Sequence, residues 1–269
     1  MKKTLYLFGI TVLACQAFAM QDQHEHRANP QFDRDTALAI SQGALGNVPD
    51  NLTFTRVNRE PVQLSTFLGK PLVISMIYTS CYHICPTTTQ HLHKVVRKAR
   101  AALGTDSFNV ITVGFDVEKD SPDMMQFFAD KQRIAEANWY FLSADQATID
   151  SLAEATGFLY YPSPNGFDHL IQATLLDESG KVFRQIYGMD FETPLLIEPL
   201  KRLVFKDSGD LSLLDSVTNQ VRLFCTVYDP SEDRYKFDYS LFIGMFIGFM
   251  CVGLLGFQLV REWRRTMAA

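Results

Sequence analysis

The pattern of apolar and polar residues divides the middle of the chain into short strands and amphipathic helices. Residues 71–78 and 109–117 are continuous apolar runs, which are typical of strands buried on both faces. Each run is followed by apolar residues at helical spacing, the first from Pro86 and the second from Ser121-Pro122. Strands that alternate with helices in this way predict a core of parallel β-strands.

Two predicted β-hairpins flank this core. In the first, residues 52–57 and 62–64 alternate apolar and polar side chains around a polar turn. In the second, residues 172–176 and 182–187 flank the turn Asp177-Glu178-Ser179-Gly180. A helical turn is predicted at residues 65–68 and a short strand at residues 139–142. Helices are predicted at residues 122–135, 146–156 and 193–205. We therefore expect an α/β fold: a thioredoxin-like three-layer domain with β-hairpin additions.

The N-terminus has the pattern of a secretory signal. Lys2 and Lys3 precede a short apolar segment, and Ala17-Phe18-Ala19 is an A-x-A cleavage site. We expect export, with a mature protein that starts near Met20. Lipidation at Cys15, or retention of the segment as an anchor, are the alternatives.

The C-terminus is predicted to be a membrane span. Residues 239–260 contain no charge and are long enough to cross about 30 Å of hydrocarbon. Tyr239 and Trp263 occupy interfacial positions, and three arginines follow the span: Arg261, Arg264 and Arg265. The positive-inside rule then predicts a cytoplasmic tail, with the folded domain in the periplasm beside the inner membrane.

These features predict a chain of six parts. They are a signal peptide (1–19), a linker with a short helix near residues 37–42 (20–49), the thioredoxin-like domain (50–206), a tether (207–238), a transmembrane helix (239–260) and a cytoplasmic tail (261–269). The net charge of −5 argues against nucleic acid as a partner, since phosphate binding requires a basic face.

Cysteine usage indicates a functional site rather than a disulfide framework. Cys15 lies in the signal and Cys251 in the predicted span, so Cys81, Cys85 and Cys225 remain for the exported part. Three cysteines are too few to hold a disulfide scaffold together. We assign no specific role to Cys225.

Cys81 and Cys85 lie between a predicted strand and a predicted helix. Pro86 suits the first position of that helix, where its missing N–H would have no partner. A helix N-terminus lowers the pKa of a thiol, so thiolate is available at neutral pH. Two thiolates select Cu(I), Zn(II) or iron–sulfur chemistry, and at this spacing they could also form a disulfide. A metal site would need a further ligand from elsewhere.

His169 is the strongest candidate for that further ligand. It lies in the segment Asn165-Gly166-Phe167-Asp168-His169, which we interpret as a turn that leads into a hairpin strand. In a thioredoxin-like fold this segment faces the dithiol, and a thiol reductase carries a cis-proline there. This chain has no proline between Pro164 and Pro194. The other histidines are expected to face solvent: His24, His26, His83, His91 and His93.

Four motifs, in order along residues 50–206, resemble the Sco/SenC family. They are Phe67-Leu68-Gly69-Lys70-Pro71, Tyr78-Thr79-Ser80-Cys81-Tyr82-His83-Ile84-Cys85-Pro86, Asp116-Val117-Glu118-Lys119-Asp120-Ser121-Pro122, and Asp168-His169 before the hairpin at residues 176–180. The resemblance implies a thioredoxin-like protein that binds copper and assembles the CuA centre of cytochrome c oxidase. It implies that Cys81, Cys85 and His169 are the copper ligands. It also implies a partner: cytochrome c oxidase subunit II or another copper-accepting protein.

Two features depart from the family pattern. Val117 replaces the usual proline, and the anchor is C-terminal whereas many members carry an N-terminal one. Asp116 and Asp120 are expected to be solvated loop ends, with support of the site as the alternative.

Three other functions are alternatives to copper delivery. A thiol–disulfide oxidoreductase would use Cys81 for attack and Cys85 for resolution, but the wider spacing and the missing cis-proline count against it. A peroxidase would need a Thr-x-x-Cys pocket, and Thr79 is one residue too close. An electron-transfer CuA protein would need His and Met where Thr89 and Leu92 stand. We therefore expect a binding protein rather than an enzyme.

Overall fold

The computed structural model describes residues 32–206, 226–229, 234–237 and 239–267. The helices are α1 (Arg34–Gly43), α2 (Ile84–Leu103), α3 (Pro122–Gln132), α4 (Gln146–Thr156), α5 (Thr193–Lys206) and α6 (Ser240–Met267), with a 3₁₀ turn at Leu64–Phe67. The strands are β1 (Thr53–Arg56), β2 (Pro61–Gln63), β3 (Leu72–Ile77), β4 (Asn109–Gly114), β5 (Trp139–Ser143), β6 (Tyr160–Ser163), β7 (Gly166–His169), β8 (Gln172–Leu176), β9 (Val182–Tyr187), β10 (Thr226–Asp229) and β11 (Arg234–Phe237). The predicted signal, the His24/His26 pair, Cys15 and Cys225 lie outside these residues.

A seven-stranded sheet forms the core, in the order β2-β1-β5-β4-β3-β8-β9. Strands β3, β4 and β5 are parallel, and the two predicted hairpins add antiparallel pairs at the edges. Every residue of β3 and of β8 is buried. A strand buried on both faces requires a layer on each side of the sheet. The predicted α/β, thioredoxin-like fold with hairpin additions is confirmed.

The topology brings three loops to one edge of the sheet. Ile77 at the end of β3 pairs with Gly114 at the end of β4, because the two strands are parallel and in register. Strand β8 runs the opposite way, and Ala173 near its start pairs with Ser75 near the end of β3. The loops after β3, after β4 and before β8 therefore meet. The first carries Cys81 and leads to Cys85 at the start of α2, the second carries Asp116 and Asp120, and the third begins directly after His169 at the end of β7.

Local sequence signals set the ends of two helices. Ser121 caps α3 by accepting a hydrogen bond from the backbone N–H of Met124, and Pro122 is its first residue, as predicted. Helix α3 ends at Gln132, earlier than expected, because Arg133 adopts a left-handed conformation with φ of 55°. Helix α4 ends before Gly157, as predicted.

Helix α1 packs against the domain, although we expected its residues to belong to a linker. Ala37 and Ser41 are fully buried, and the Ser41 hydroxyl donates to Gln172 at 2.9 Å. A Cβ on Gly157 would lie 2.7 Å from the backbone oxygen of Ile40, so α1 also approaches the end of α4 closely. Residues 34–49 thus pack with the unit that we expected to begin at residue 50.

One helix of the described residues is long and apolar enough to cross a membrane. Its candidate span is Phe242–Arg265, with a mean hydropathy of 2.1, and it overlaps the predicted residues 239–260. The expected tether contains β10 and β11, which pair as an antiparallel hairpin.

Gly114 offers a test of the packing at this edge of the sheet. A Cβ there would lie 2.5 Å from the Cβ of Asp120 and 2.8 Å from the sulfur of Met125. We expect Gly114→Ala to lower the free energy of unfolding by about 1–3 kcal/mol, because overpacking forces neighbours from their positions. Guanidinium unfolding followed by tryptophan fluorescence measures this. Gly43→Ala is the control, since no atom of the described residues lies within 4 Å of a Cβ at Gly43. Equal effects of the two substitutions would contradict the prediction.

Candidate metal centre

The two site cysteines meet at the start of α2. The helix begins at Ile84, so Cys85 lies inside its first turn and Pro86 is its third residue rather than its first. Proline is accepted here because the first N–H groups of a helix have no helical partner. The backbone N–H of Cys85 donates to the sulfur of Cys81 at 3.3 Å. Both thiols are free: Cys85 is buried and Cys81 is partly exposed.

The two thiols have opposite acidities. The pKa of Cys81 is lowered to about 5, chiefly by a hydrogen bond from the Cys85 thiol and further by the backbone N–H groups of Cys85 and His83. The pKa of Cys85 is raised, because its thiol donates to Cys81 and because it is buried. At neutral pH the pair therefore consists of one thiolate, at Cys81, and one protonated thiol.

Tyr78 connects the dithiol to the opposite side of the site. Burial raises the pKa of its hydroxyl, and a hydrogen bond to Cys81 raises it further. The hydroxyl therefore stays protonated and stabilises the Cys81 thiolate. A Cβ on Gly166 would lie 2.7 Å from this hydroxyl, so Tyr78 reaches the backbone of the β6–β7 hairpin. Its ring also packs edge-on against Phe167 and His169, with ring centres 5.3 and 6.1 Å away.

His169 offers one free nitrogen. Its Nδ1 lies 2.7 Å from the backbone oxygen of Leu170, and because a carbonyl only accepts, Nδ1 carries the hydrogen. Nε2 is then the nitrogen with a lone pair. Burial lowers the pKa of the imidazole, which keeps the ring neutral at neutral pH. The ring packs against Phe115 and Phe158, with centres 5.5 and 5.2 Å away. A neutral, oriented imidazole is suited to metal ligation.

The structure corrects our view of the segment that holds His169. We expected a turn, but His169 ends β7, which pairs with β6 as a separate two-stranded sheet, with Tyr160 opposite His169. We missed this hairpin. Its signal was present: Pro164-Asn165-Gly166 is a turn sequence with tyrosines on one side and Phe167 on the other.

The expectation that Asp116 and Asp120 are solvated was wrong. Both are buried, Asp120 with only 2% of its surface exposed. One oxygen of Asp120 accepts from the backbone N–H and the hydroxyl of Thr79, each at 2.7 Å, and the other accepts from the N–H of Asp116 at 2.8 Å. Burial raises the pKa of Asp120, and these hydrogen bonds oppose that rise. Asp120 thus ties the loop after β4 to the loop that carries the thiols.

Of the other histidines of the domain, one lies as expected and two do not. His83 is exposed between the cysteines. His91 and His93 are partly buried rather than on the surface. His91 donates from Nε2 to the backbone oxygen of Phe191 at 2.7 Å, and His93 lies 2.9 Å from Glu136. These partners give both residues structural roles.

The metal-ligating groups are close but not assembled. Within the described residues, no three His, Cys, Asp or Glu side chains already lie in a geometry that holds a metal ion. Cys81 is near enough to His169 for its charge to act on the pKa of the imidazole. Tyr78 contacts both sides. A three-ligand site would therefore require these side chains to rearrange around the ion.

Fold and site together define a thioredoxin-like protein with a C-x-x-x-C dithiol and a facing histidine. The profile of the SCO1/SenC family matches residues 45–204, and the chain belongs to this family. The resemblance inferred from the four motifs is confirmed.

Known relatives agree in sequence and in fold. The chain is 27% identical to the SCO1 protein homolog of Bacillus subtilis (strain 168) over 142 residues, covering 51% of this chain and 72% of the relative. Its fold is similar to copper-bound ScoI of Arabidopsis thaliana (TM-score 0.51, 16% identity, 58% of this chain and 99% of the other). It is also similar to BsSco, a member of the Sco family of cytochrome c oxidase assembly proteins in which a disulfide switch was identified (TM-score 0.53, 24% identity, 60% and 95%).

The hydroxyl of Tyr78 offers a test of the acidity of Cys81. The alkylation rate of Cys81 by iodoacetamide should rise with pH through about 5 and be flat near neutrality, because the thiolate is the nucleophile. Tyr78→Phe removes a donor to the thiolate, so the midpoint should move to higher pH. Peptide mass analysis at a series of pH values measures it.

Tyr140→Phe is the matched control, since that hydroxyl bonds to Asn138, away from the thiols. An unchanged midpoint in Tyr78→Phe, or an equal change in both variants, would contradict the assigned role of Tyr78.

Proposed function

We propose that this protein is a membrane-anchored copper chaperone that binds copper through Cys81, Cys85 and His169. On this proposal it assists assembly of the CuA centre of cytochrome c oxidase. The observation that carries the proposal is the pairing of a low-pKa thiolate with a neighbouring thiol, opposite a neutral imidazole. Family membership supports it, and ScoI of Arabidopsis thaliana was solved with copper bound.

The donor set matches the preferences of copper. Thiolate sulfurs are soft and favour Cu(I), and imidazole suits both oxidation states. The ion is cargo in this function. Cys81 would bind as the thiolate already present, Cys85 would lose its proton on binding, and Nε2 of His169 would be the third ligand. Because Cys85 must release a proton, copper affinity should rise with pH.

The location and the partner are part of the same proposal. Residues 1–19 would direct export, helix α6 would anchor the chain in the inner membrane, and the arginines after the span would keep the tail in the cytoplasm. The domain would then face the periplasm. Copper would pass by ligand exchange to the thiols of cytochrome c oxidase subunit II or another copper-accepting protein.

Copper titration of the full chain in detergent tests this function. We expect one Cu(I) per reduced protein, loss of binding in Cys81→Ala and Cys85→Ala, and an affinity at least about tenfold lower in His169→Ala. Removing a residue that only orients a metal ligand already lowers metal affinity by about tenfold or more, so removing a ligand itself should lower it at least as much. Competition with a chelator of known affinity measures it.

His83→Ala is the matched control, because His83 lies between the two cysteines but is exposed. A wild-type protein that holds no more copper than the Cys81→Ala, Cys85→Ala, His169→Ala triple variant would contradict the proposal.

The asymmetry of the thiols favours a second function, thiol–disulfide exchange. An accessible thiolate at Cys81 beside a buried, protonated Cys85 is the arrangement of an attacking and a resolving cysteine. On this alternative the dithiol would reduce cysteines of an oxidase subunit before copper insertion. His169→Ala would then leave the rate of disulfide reduction unchanged, whereas Cys81→Ala would abolish it. A parallel loss of reduction in His169→Ala would contradict this second function.

A further inference from the structure

An open cleft of about 510 Å³ lies beside the Cys81 thiol. The loop after β3 forms one wall through Thr79, Cys81 and Tyr82, and α3 forms the other through Met124 and Phe127. Cys81 is thus reached from this cleft, while Cys85 does not line it. A partner that exchanges a ligand or a disulfide with Cys81 can bring its own sulfur in through this space.

The walls of the cleft expose large apolar side chains. Tyr82 is 91% exposed, Phe127 59% and Met124 40%. Exposed apolar groups that cluster on one surface mark an interaction site more often than isolated ones do. This cluster lies beside the thiol of Cys81. A partner that packs against the cluster would therefore do so while its own sulfur reacts with Cys81.

The charge of the cleft has one sign. Among the residues that the structure describes, every charged side chain that lines the cleft is a lysine, Lys119 or Lys131. Lys119 forms an ion pair with Asp116 at 3.0 Å, which leaves Lys131 as the principal positive charge. A carboxylate on the partner is the complementary group.

We propose that the cleft binds an extended cysteine-bearing segment of the partner protein, with an apolar side chain and a carboxylate flanking the cysteine. This inference deepens the proposed function and rests on it, since the partner is the protein that exchanges ligands with Cys81. Phe127 and Met124 contact the apolar side chain, and Lys131 attracts the carboxylate.

Thiol exchange with three peptide probes tests the proposal without copper. Each probe has one central cysteine in a mixed disulfide with thionitrobenzoate, flanked by Leu and Glu, by Leu and Lys, or by Gly and Ser. The Cys81 thiolate attacks the peptide sulfur, a Cys81–peptide disulfide forms, the original sulfur–sulfur bond breaks, and thionitrobenzoate leaves as a coloured thiolate. The rate in the full chain, minus that of Cys81→Ser, is the rate at Cys81.

We expect the Leu/Glu peptide to react about threefold faster than the Leu/Lys peptide, the effect of one exposed ion pair. Lys131→Glu should reverse that preference, and Phe127→Ser should remove the advantage of the leucine peptides over Gly/Ser. Lys181→Glu and Phe183→Ser, exposed positions on the β8–β9 hairpin, are matched controls that should keep both preferences.

Equal rates for all three peptides, or preferences that survive Lys131→Glu and Phe127→Ser, would overturn the proposal. A change of sedimentation in Phe127→Ser without peptide selectivity would assign the cleft to a second copy of the chain instead. The outcome is independent of the copper titration. A protein that selects peptides but holds no copper would contradict the copper function and keep the cleft as a docking site for a thiol-exchange partner.

Discussion

The buried carboxylate of Asp120 is the interaction on which the site depends. It accepts hydrogen bonds from Thr79 and from the backbone of Asp116, and so holds the end of β3 to the loop after β4. Leaving these donors buried without an acceptor would cost about 1–3 kcal/mol each. Gly114 permits the arrangement, because any side chain there would collide with Asp120. With Thr79 fixed, the chain has only one residue before Cys81 and little freedom in where it presents the thiol.

The position at which α2 begins then determines the acidity of the two thiols. Because the helix begins at Ile84, its first turn donates an N–H to the sulfur of Cys81 and carries Cys85 into the core. One thiol becomes an accessible anion and the other a buried acid. This asymmetry serves metal capture and disulfide exchange equally well. The two functions differ in the residue that they need on the facing hairpin. A thiol reductase carries a cis-proline there, whereas this chain has His169, whose Nε2 has the lone pair that a metal ligand needs.

Features with a local signal could be predicted from the sequence, and features created by tertiary packing could not. Strand β3 and helix α2 have strong apolar periodicity, so the position of the dithiol between them was predictable. Helix α1 was expected to lie in a linker because residues 21–47 are largely polar. Its buried face consists of small residues, Ala37 and Ser41, which give little apolar signal. The burial of Asp120 had no local signal, since a carboxylate is usually exposed and only its three donors make burial tolerable.

In the proposed function, one copper ion is held by two thiolates and one imidazole. X-ray absorption at the copper edge of the Cu(I)-loaded full chain tests it most directly, because sulfur and nitrogen neighbours scatter differently. We expect two sulfur neighbours and one nitrogen neighbour, with the nitrogen lost in His169→Ala and kept in His83→Ala. A wild-type spectrum with sulfur neighbours alone, or a nitrogen neighbour that persists in His169→Ala, would contradict it.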